Sequence, residues 1–223
     1  MKLYSSQVAP SPRKVLVFIA EKNIENIEVE NLDIGKMDHK TPEYKKIAPN
    51  SRIPALVLDD GQVILETTAI CRYLECLYPE PNLFGKNPME IAEIEMWYSR
   101  VSFELMLPLM HGFRHTHPHM SALEEQNNEF GLAQRELAIK SLKYYEEIIK
   151  GNKFIACDKF SYADIQMTVS LQFLVRLNRI DIDVKSSFIK KEGTLITKRK
   201  NIFKNIFTIL YSISLGINVS RFN

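Results

Sequence analysis

Four of the five histidines in this chain lie close together, at positions 111, 115, 117 and 119. An imidazole can ligate a metal ion, or it can donate a hydrogen bond to a reacting group in either protonation state. His111 and His115 are one helical turn apart and would share a helix face, but no cysteine or carboxylate completes a metal-ligand pattern with them. We therefore predict no metal and treat the cluster as a source of hydrogen-bond donors or as packed interhelical side chains.

Ser11 is a second candidate donor, because it lies between Pro10 and Pro12 where a helix is predicted to begin. A hydroxyl at this point either caps the free backbone N–H groups of the helix or donates to a ligand held there. The sequence leaves both roles open.

The bulk composition excludes several function classes. A net charge of +2 and a pI near 8.3 argue against a nucleic-acid surface, which needs a concentrated basic stripe. No apolar run reaches the roughly 18 residues of a membrane span, so we predict a cytoplasmic protein. The cysteines (Cys71, Cys76 and Cys157) have neither metal-ligand nor CxxC spacing, and we expect all three to be reduced and buried.

The elements that must position these groups alternate between strand and helix in the first third of the chain. We predict a strand at 2–4, a helix from Pro12 to about residue 22, a half-buried strand at 27–30 and a short helix near 42–47. The charged side chains of the first helix should point outward: Arg13, Lys14, Glu21 and Lys22.

Two apolar runs around Asp59-Asp60-Gly61 predict a hairpin over 55–65, since glycine supplies the positive φ that a tight turn needs. Thr67 or Thr68 would cap the helix that follows, and the prolines at 79 and 81 would end it.

The rest of the chain reads as helical. We predict helices over 88–110 and 124–149 and a third opening near 160, where Ser161 and Asp164 form a capping box. From about residue 186 the composition changes, because several basic residues occur with only one acidic residue, Glu192, and residues 205–220 carry no charge. This atypical segment is either divergent or a surface that binds a membrane or a partner.

Four motifs in the same order resemble the glutathione transferase superfamily: RIPAL at 52–56, DDGQVIL at 59–65, ETTAICRYL at 66–74 and FSYAD at 160–164. The resemblance implies an α/β thioredoxin-like N-terminal domain over residues 1–84 and an all-α C-terminal domain over 88–223. It also implies a homodimer and glutathione as co-substrate.

What the resemblance implies follows residue by residue. Ile53 would present its backbone to the cysteinyl part of glutathione, with Pro54 in the cis form. Glu66 and Thr67 would hold the γ-glutamyl end at the N-terminus of the helix they begin, where free N–H groups favour a carboxylate. Three basic side chains are candidates for the glycyl carboxylate: His39, Lys40 and Arg52.

The residue that activates the glutathione thiol is the open question. The resemblance places Ala9 where many classes carry a catalytic serine or cysteine, and alanine has no donor. Ser11 is one replacement. The other comes from similarity to a fungal and bacterial class in which a histidine and a serine of the helical domain hold a water against the thiolate, which His115 and Ser121 match, with His117 as the spare.

Two functions therefore compete. The leading one is conjugation of glutathione to small hydrophobic electrophiles, and the alternative is a non-catalytic carrier or interaction protein that keeps the fold. Thiol-disulfide or isomerase work is weaker, since the expected cysteine or double-serine loop is missing.

Overall fold

The computed structural model describes residues 1–123, 125–149 and 152–177, so the atypical segment from 186 lies outside the described residues. The chain divides into two compact units. The first takes residues 1–98 and 159–169, and the second takes the described residues of 99–158 and 170–177. The domain boundary expected between residues 84 and 88 stays a prediction.

The first unit is built on a four-stranded mixed sheet. Its strands are β1 (Lys2–Ser5), β2 (Glu28–Asn31), β3 (Ala55–Val57) and β4 (Val63–Leu65), in the order β2-β1-β3-β4. β1 runs parallel to β2 and antiparallel to β3, and β3 pairs antiparallel with β4. The helices are α1 (Pro10–Glu21), α2 (Pro42–Ile47), α3 (Thr67–Leu77) and most of α4 (Pro88–Arg100), whose last two residues belong to the second unit.

The β3–β4 hairpin is confirmed. Leu58 N donates to Gln62 O at 2.8 Å and Gly61 N donates to Leu58 O at 3.0 Å. Gly61 has φ +85°, a left-handed conformation that glycine adopts without steric cost. The turn therefore fixes the register of the two strands.

Three local expectations for the first unit are wrong. β2 is an exposed edge strand rather than a half-buried one, since β1 is its only partner among the described strands and Val29 is 40% exposed. Neither Thr67 nor Thr68 caps α3, because the helix begins at Thr67 and Glu66 occupies the cap position. Cys71 is buried as expected, but Cys76 is exposed because it lies away from the buried side of α3. Cys157, in the second unit, was also expected to be buried and is only half-buried.

Two charged residues of the first helix point inward, contrary to the prediction. Lys14 and Lys22 are both buried. Lys22 Nζ lies 2.6 Å from Glu75 Oε2 and donates to the carbonyl groups of Tyr78 and Pro81 at 2.6 and 2.9 Å. The polar groups that bind these two lysines are distant in sequence. The residue type of lysine alone therefore predicts the exposed side of the helix, which is wrong here.

The second unit is helical. A π-helical stretch at Val101–Met106 leads into α5 (Leu107–Thr116), followed by α6 (Asn128–Ile149). The predicted helix over 88–110 therefore runs on to Thr116 with a change of pitch. Pro108 explains the change, because it has no N–H to donate to the carbonyl four residues earlier.

The last described helix is α7 (Tyr162–Leu177). Its capping box is confirmed on one side, since Ser161 N donates to Asp164 Oδ2 at 2.8 Å, and the Ser161 hydroxyl donates to the same oxygen at 2.7 Å. Among the described helices, none is long and apolar enough to cross a membrane.

Candidate functional site

The β3–β4 hairpin brings two of the predicted motifs to the same end of the sheet. Ala55 pairs with Leu65 as the last pair of this ladder, so Ile53-Pro54 directly precedes β3 and Glu66-Thr67 directly follows β4 at the same end of the hairpin. We call these four residues, Ile53, Pro54, Glu66 and Thr67, the hairpin-end site. The tight turn at Gly61 thus brings Ile53-Pro54 and Glu66-Thr67 to one end of the hairpin, although they lie more than ten residues apart in the sequence.

The N-terminus of α3 supplies the polar half of the hairpin-end site. The first N–H groups of a helix have no partner within it and carry a partial positive charge, so they favour an anion. Glu66 precedes them with φ 70°, a left-handed conformation that costs a non-glycine residue on the order of 1 kcal/mol and is concentrated at functional sites. Its exposed carboxylate is free to meet an ammonium group brought in by a ligand.

The backbone of Ile53 supplies the other half. The bond between Ile53 and Pro54 is cis, as the resemblance implies. β3 begins its pairing at Ala55, so the N–H and C=O groups of Ile53 lie outside the ladder and can pair with an extended ligand as an added strand would.

The segment before Ile53 is held in place from α2. The Tyr44 hydroxyl donates to the carbonyl of Arg52 at 2.7 Å, and Arg52 N donates to Asn50 Oδ1 at 3.1 Å. Burial raises the pKa of Tyr44 well above its usual range, so this donor stays protonated. Ile53 itself packs against Tyr44 and its neighbours, which fixes the direction of its backbone.

The three basic candidates differ in their surroundings. Lys40 and Arg52 are exposed. His39 lies in a short 3₁₀ helix (Asp38–Lys40), and its buried Nδ1 finds no hydrogen-bond partner among the described residues. Burial, assisted by the charge of Lys40, lowers the pKa of His39, so a neutral imidazole is the form the structure favours.

At the start of α1, the position where many classes of the family carry the thiol donor is occupied by Ala9, and the nearby hydroxyl belongs to Ser11. Ala9 occupies the cap position with extended backbone and no side-chain hydrogen bond. Ser11 is the second residue of α1 and half-buried, so the capping role considered for it is wrong. Its role as a thiol donor stays a prediction. The Ser11 carbonyl accepts a long hydrogen bond from Thr67 Oγ1 at 3.4 Å, which joins the starts of α1 and α3.

In the second unit, His115 has a defined orientation near the end of α5. Its Nδ1 accepts from Asn127 N at 3.1 Å, so the proton of the neutral ring is on Nε2, which is then a donor. The ring meets Phe130 edge to face at 5.1 Å. Ser121 is exposed and its hydroxyl donates to Pro118 O at 2.8 Å. The two predicted partners thus have separate protein contacts.

Comparison with known proteins bears on this arrangement. A family model for the glutathione S-transferase N-terminal domain matches residues 9–77, and one for the C-terminal domain matches 100–190. Glutathione S-transferase 2 of Saccharomyces cerevisiae is 35% identical over 176 residues, which cover 78% of this chain and 76% of that protein. The chain belongs to the glutathione S-transferase family. Its predicted fold class and its class as a glutathione transferase are confirmed.

Solved structures agree with this assignment. Gtt2 from Saccharomyces cerevisiae matches this glutathione transferase with a TM-score of 0.80 at 28% identity, over 93% of this chain and 100% of that one. A class Gtt2 enzyme of Vibrio parahaemolyticus matches with a TM-score of 0.79 at 28% identity, over 95% and 100% of the two chains. Within the described residues, no group of three or more His, Cys, Asp or Glu side chains could hold a metal ion.

Next to the hairpin-end site this transferase has a polar network, in part buried, that sequence reasoning missed. The Thr68 hydroxyl lies 2.6 Å from the Tyr98 hydroxyl and 3.3 Å from the Tyr162 hydroxyl. Lys14 Nζ donates to Gln166 Oε1 at 2.9 Å. One signal was available: Lys14 lies four residues before Phe18 and eight before Lys22, so a single helical stripe contains all three.

Proposed function

We propose that this chain is a catalytically active glutathione transferase that conjugates glutathione to small hydrophobic electrophiles. The observation that supports it best is the hairpin-end site, where the backbone of Ile53 lies outside the strand ladder and the N-terminus of α3 follows the other strand of the same hairpin. Glutathione has matching chemistry: a peptide backbone in its centre and an amino acid at its γ-glutamyl end. We assign the γ-glutamyl end to Glu66 and Thr67 and the glycyl carboxylate to one or more of His39, Lys40 and Arg52.

In the reaction, the glutathione thiol gives up its proton and the sulfur forms a C–S bond with the electrophile, which releases its leaving group with the bonding electrons. The thiolate is the nucleophile, so a donor that stabilises it raises the rate. We propose His115 as this donor, acting through Nε2 with Ser121, and keep Ser11 as the alternative. The defined orientation of His115 supports it, since a catalytic donor must be held in a fixed direction.

The first experiment measures glutathione binding by calorimetry and conjugation with a chlorodinitrobenzene by absorbance. Glu66→Gln should weaken binding at least about tenfold, as expected for loss of a charge-assisted hydrogen bond. Glu43→Gln is the matched control, because Glu43 is likewise an exposed carboxylate near the N-terminus of a helix of the first unit. Failure of the wild-type chain to bind glutathione would refute the proposed function.

The second experiment identifies the donor. His115→Gln should lower kcat/KM at least about tenfold, while His119→Gln, at an exposed position, should leave it unchanged. Ser11→Ala and Ser121→Ala are measured alongside. If none of the three changes at positions 11, 115 and 121 lowers the rate, the proposed mechanism is wrong.

The alternative function, a non-catalytic carrier or interaction protein, is favoured by Ala9, which leaves the usual donor position without a hydrogen-bonding group. Tight glutathione binding without turnover on several electrophiles would establish it. We further propose a cytoplasmic homodimer with a role in detoxification, which light scattering and cell fractionation test.

A further inference from the structure

Lys14 carries an ammonium group to the region just behind the hairpin-end site. It follows Ser11 by three residues, so the two share one side of α1, and the bond from Thr67 Oγ1 to Ser11 O joins that side to the start of α3. On α3, Cys71 lies one turn after Thr67 and interacts electrostatically with Lys14. The lysine thus lies close to the first turns of α3, and its side-chain contacts, Gln166 and Tyr98, belong to α7 and α4.

The ammonium group is buried without a carboxylate against it. Lys14 is 9% exposed, and its Nζ donates to the neutral amide of Gln166 at 2.9 Å and lies 5.9 Å from the centre of the Tyr98 ring. Within the described residues it forms no ion pair, whereas the equally buried Lys22 lies 2.6 Å from Glu75. A buried ion without a counter-ion is costly, so this arrangement calls for a compensating charge.

The charged and titratable groups around Lys14 come from three elements. Glu66 and Cys71 belong to the start and first turns of α3, Tyr98 to α4, and Tyr162 to α7, where its hydroxyl contacts the Cys71 thiol. Burial lowers the pKa of Lys14 to about 8, although Cys71 and Glu66 act in the opposite direction. Burial also raises the pKa of the Cys71 thiol to about 12, so Cys71 is neutral and provides no counter-charge near neutral pH.

We propose that Lys14 is a positioning residue of the hairpin-end site, whose ammonium group gains its counter-charge when the γ-glutamyl carboxylate of glutathione binds at the start of α3. This inference rests on the proposed glutathione binding. The ammonium acts through the electric field and touches no ligand atom. Ligand binding and protonation of Lys14 are therefore linked, and each favours the other.

The test is calorimetric titration of S-methylglutathione, which has no free thiol to titrate, into the wild type, Lys14→Met and Lys22→Met. Below the pKa of Lys14, at about pH 6.5, Lys14→Met should bind on the order of tenfold more weakly than the wild type. Near pH 9.5, where Lys14 is neutral, the two affinities should converge. At about pH 8, titrations in two buffers of different ionisation enthalpy should show proton uptake that the variant lacks.

Lys22→Met is the matched control, because it also removes a buried ammonium from the α1 region. It lies eight residues away, about 12 Å along the helix, and should bind within about threefold of the wild type. Circular dichroism checks that each variant is folded, and Lys14→Gln replaces Lys14→Met if the latter unfolds.

Any one of three results overturns the inference and leaves the proposed function intact. The first is an affinity ratio between wild type and Lys14→Met that stays constant from about pH 6.5 to 9.5. The others are a loss of S-methylglutathione affinity in Lys22→Met equal to that in Lys14→Met, and equal proton uptake in the wild type and Lys14→Met. Absence of binding in the wild type removes the proposed function and the inference together.

Discussion

Replacing Gly131 with alanine tests the contact that orients His115. Gly131 lies in the first turns of α6 against the end of α5. A Cβ atom added there would lie 2.6 Å from Thr116 Cγ2, 2.8 Å from His115 Cβ and 3.2 Å from the His115 carbonyl carbon. The last of these is a backbone atom and the other two are close to the backbone, so no side-chain rotation relieves the clash and α6 must move away from α5.

The expected cost follows from two opposing effects. Alanine in place of glycine favours a helix by up to about 1 kcal/mol, while overpacking a close contact costs about 1–3 kcal/mol. We expect Gly131→Ala to destabilise the protein by up to about 2 kcal/mol, which lowers Tm by up to about 8 °C for a chain of this size. Because the displacement stretches the 3.1 Å bond from Asn127 N to His115 Nδ1, kcat/KM should also fall by at least about tenfold if His115 is the donor.

Gly112→Ala is the matched control, since Gly112 lies on the facing helix α5. Its added Cβ would lie 2.5 Å from Arg135 Cγ, an atom of a flexible side chain, and 3.4 Å from Gly131 O. This variant should stay within about 1 kcal/mol of the wild type and keep its kcat/KM. Urea unfolding and the chlorodinitrobenzene assay measure both quantities. Equal stability and equal activity in the two alanine variants would refute the contact argument.

Three further predictions concern the first unit. Lys22→Met leaves the nearly buried Glu75 carboxylate without its ion pair and should cost about 3 kcal/mol in urea unfolding; an unchanged midpoint would contradict this. The pKa of Lys14 in the folded protein is about 8, below its ordinary 10.5, so the unfolded chain binds more protons than the folded chain between these pH values. The stability of the wild type relative to Lys14→Met should therefore rise on the order of 2–3 kcal/mol as the pH increases from about 8 to 10.5. Parallel stability profiles of the two proteins against pH would contradict this prediction. Tyr44→Phe removes the hydrogen bond to the Arg52 carbonyl and should cost about 1 kcal/mol and weaken glutathione binding a few-fold by calorimetry, and an unaltered affinity would show that this bond does not position Ile53.

The parts of the fold that depend on local chemistry could be predicted from the sequence. The hairpin at 55–65 follows from two apolar runs and a glycine at the turn. The predicted end of the first helix near residue 22 is confirmed, since α1 ends at Glu21 and Asn23 just beyond it has φ 53°, as a residue after a helix often does. Its N–H donates to Ala20 O at 3.1 Å and that of Ile24 to Ile19 O at 3.1 Å. Short-range patterns of this kind need no knowledge of the rest of the chain.

What could not be predicted depends on partners that are distant in sequence. Lys14 was assigned to the surface because lysine is rarely buried, yet Gln166, 152 residues later, makes burial possible. Thr68 was considered as a helix cap, but its hydroxyl instead contacts Tyr98 and Tyr162. Helical periodicity places Lys14 on the same stripe as the buried Phe18, but neither side-chain type nor local periodicity identifies the distant partners of Lys14 and Thr68.

The residues of the candidate site also differ in how far local sequence patterns account for their placement. The family resemblance gave Ile53, Pro54, Glu66 and Thr67, and the local hairpin that their motifs flank explains why they lie at one end of the sheet. The pairing of His115 with Ser121 came from the resemblance alone, and the structure gives each side chain a different partner. Their joint role stays a prediction that the variants at positions 115 and 121 address.

The first unit is not a continuous stretch of chain, since it closes with residues 159–169. Tyr162 N donates to Leu83 O at 2.8 Å, and Gln166 holds Lys14. During synthesis on the ribosome, the sheet and α1–α3 emerge long before these partners, so Lys14 must wait for about 150 residues of further translation before its amide partner exists. A fragment that ends at residue 98 would lack the same groups. We therefore expect the first unit to complete its folding late and to resist expression as an isolated module.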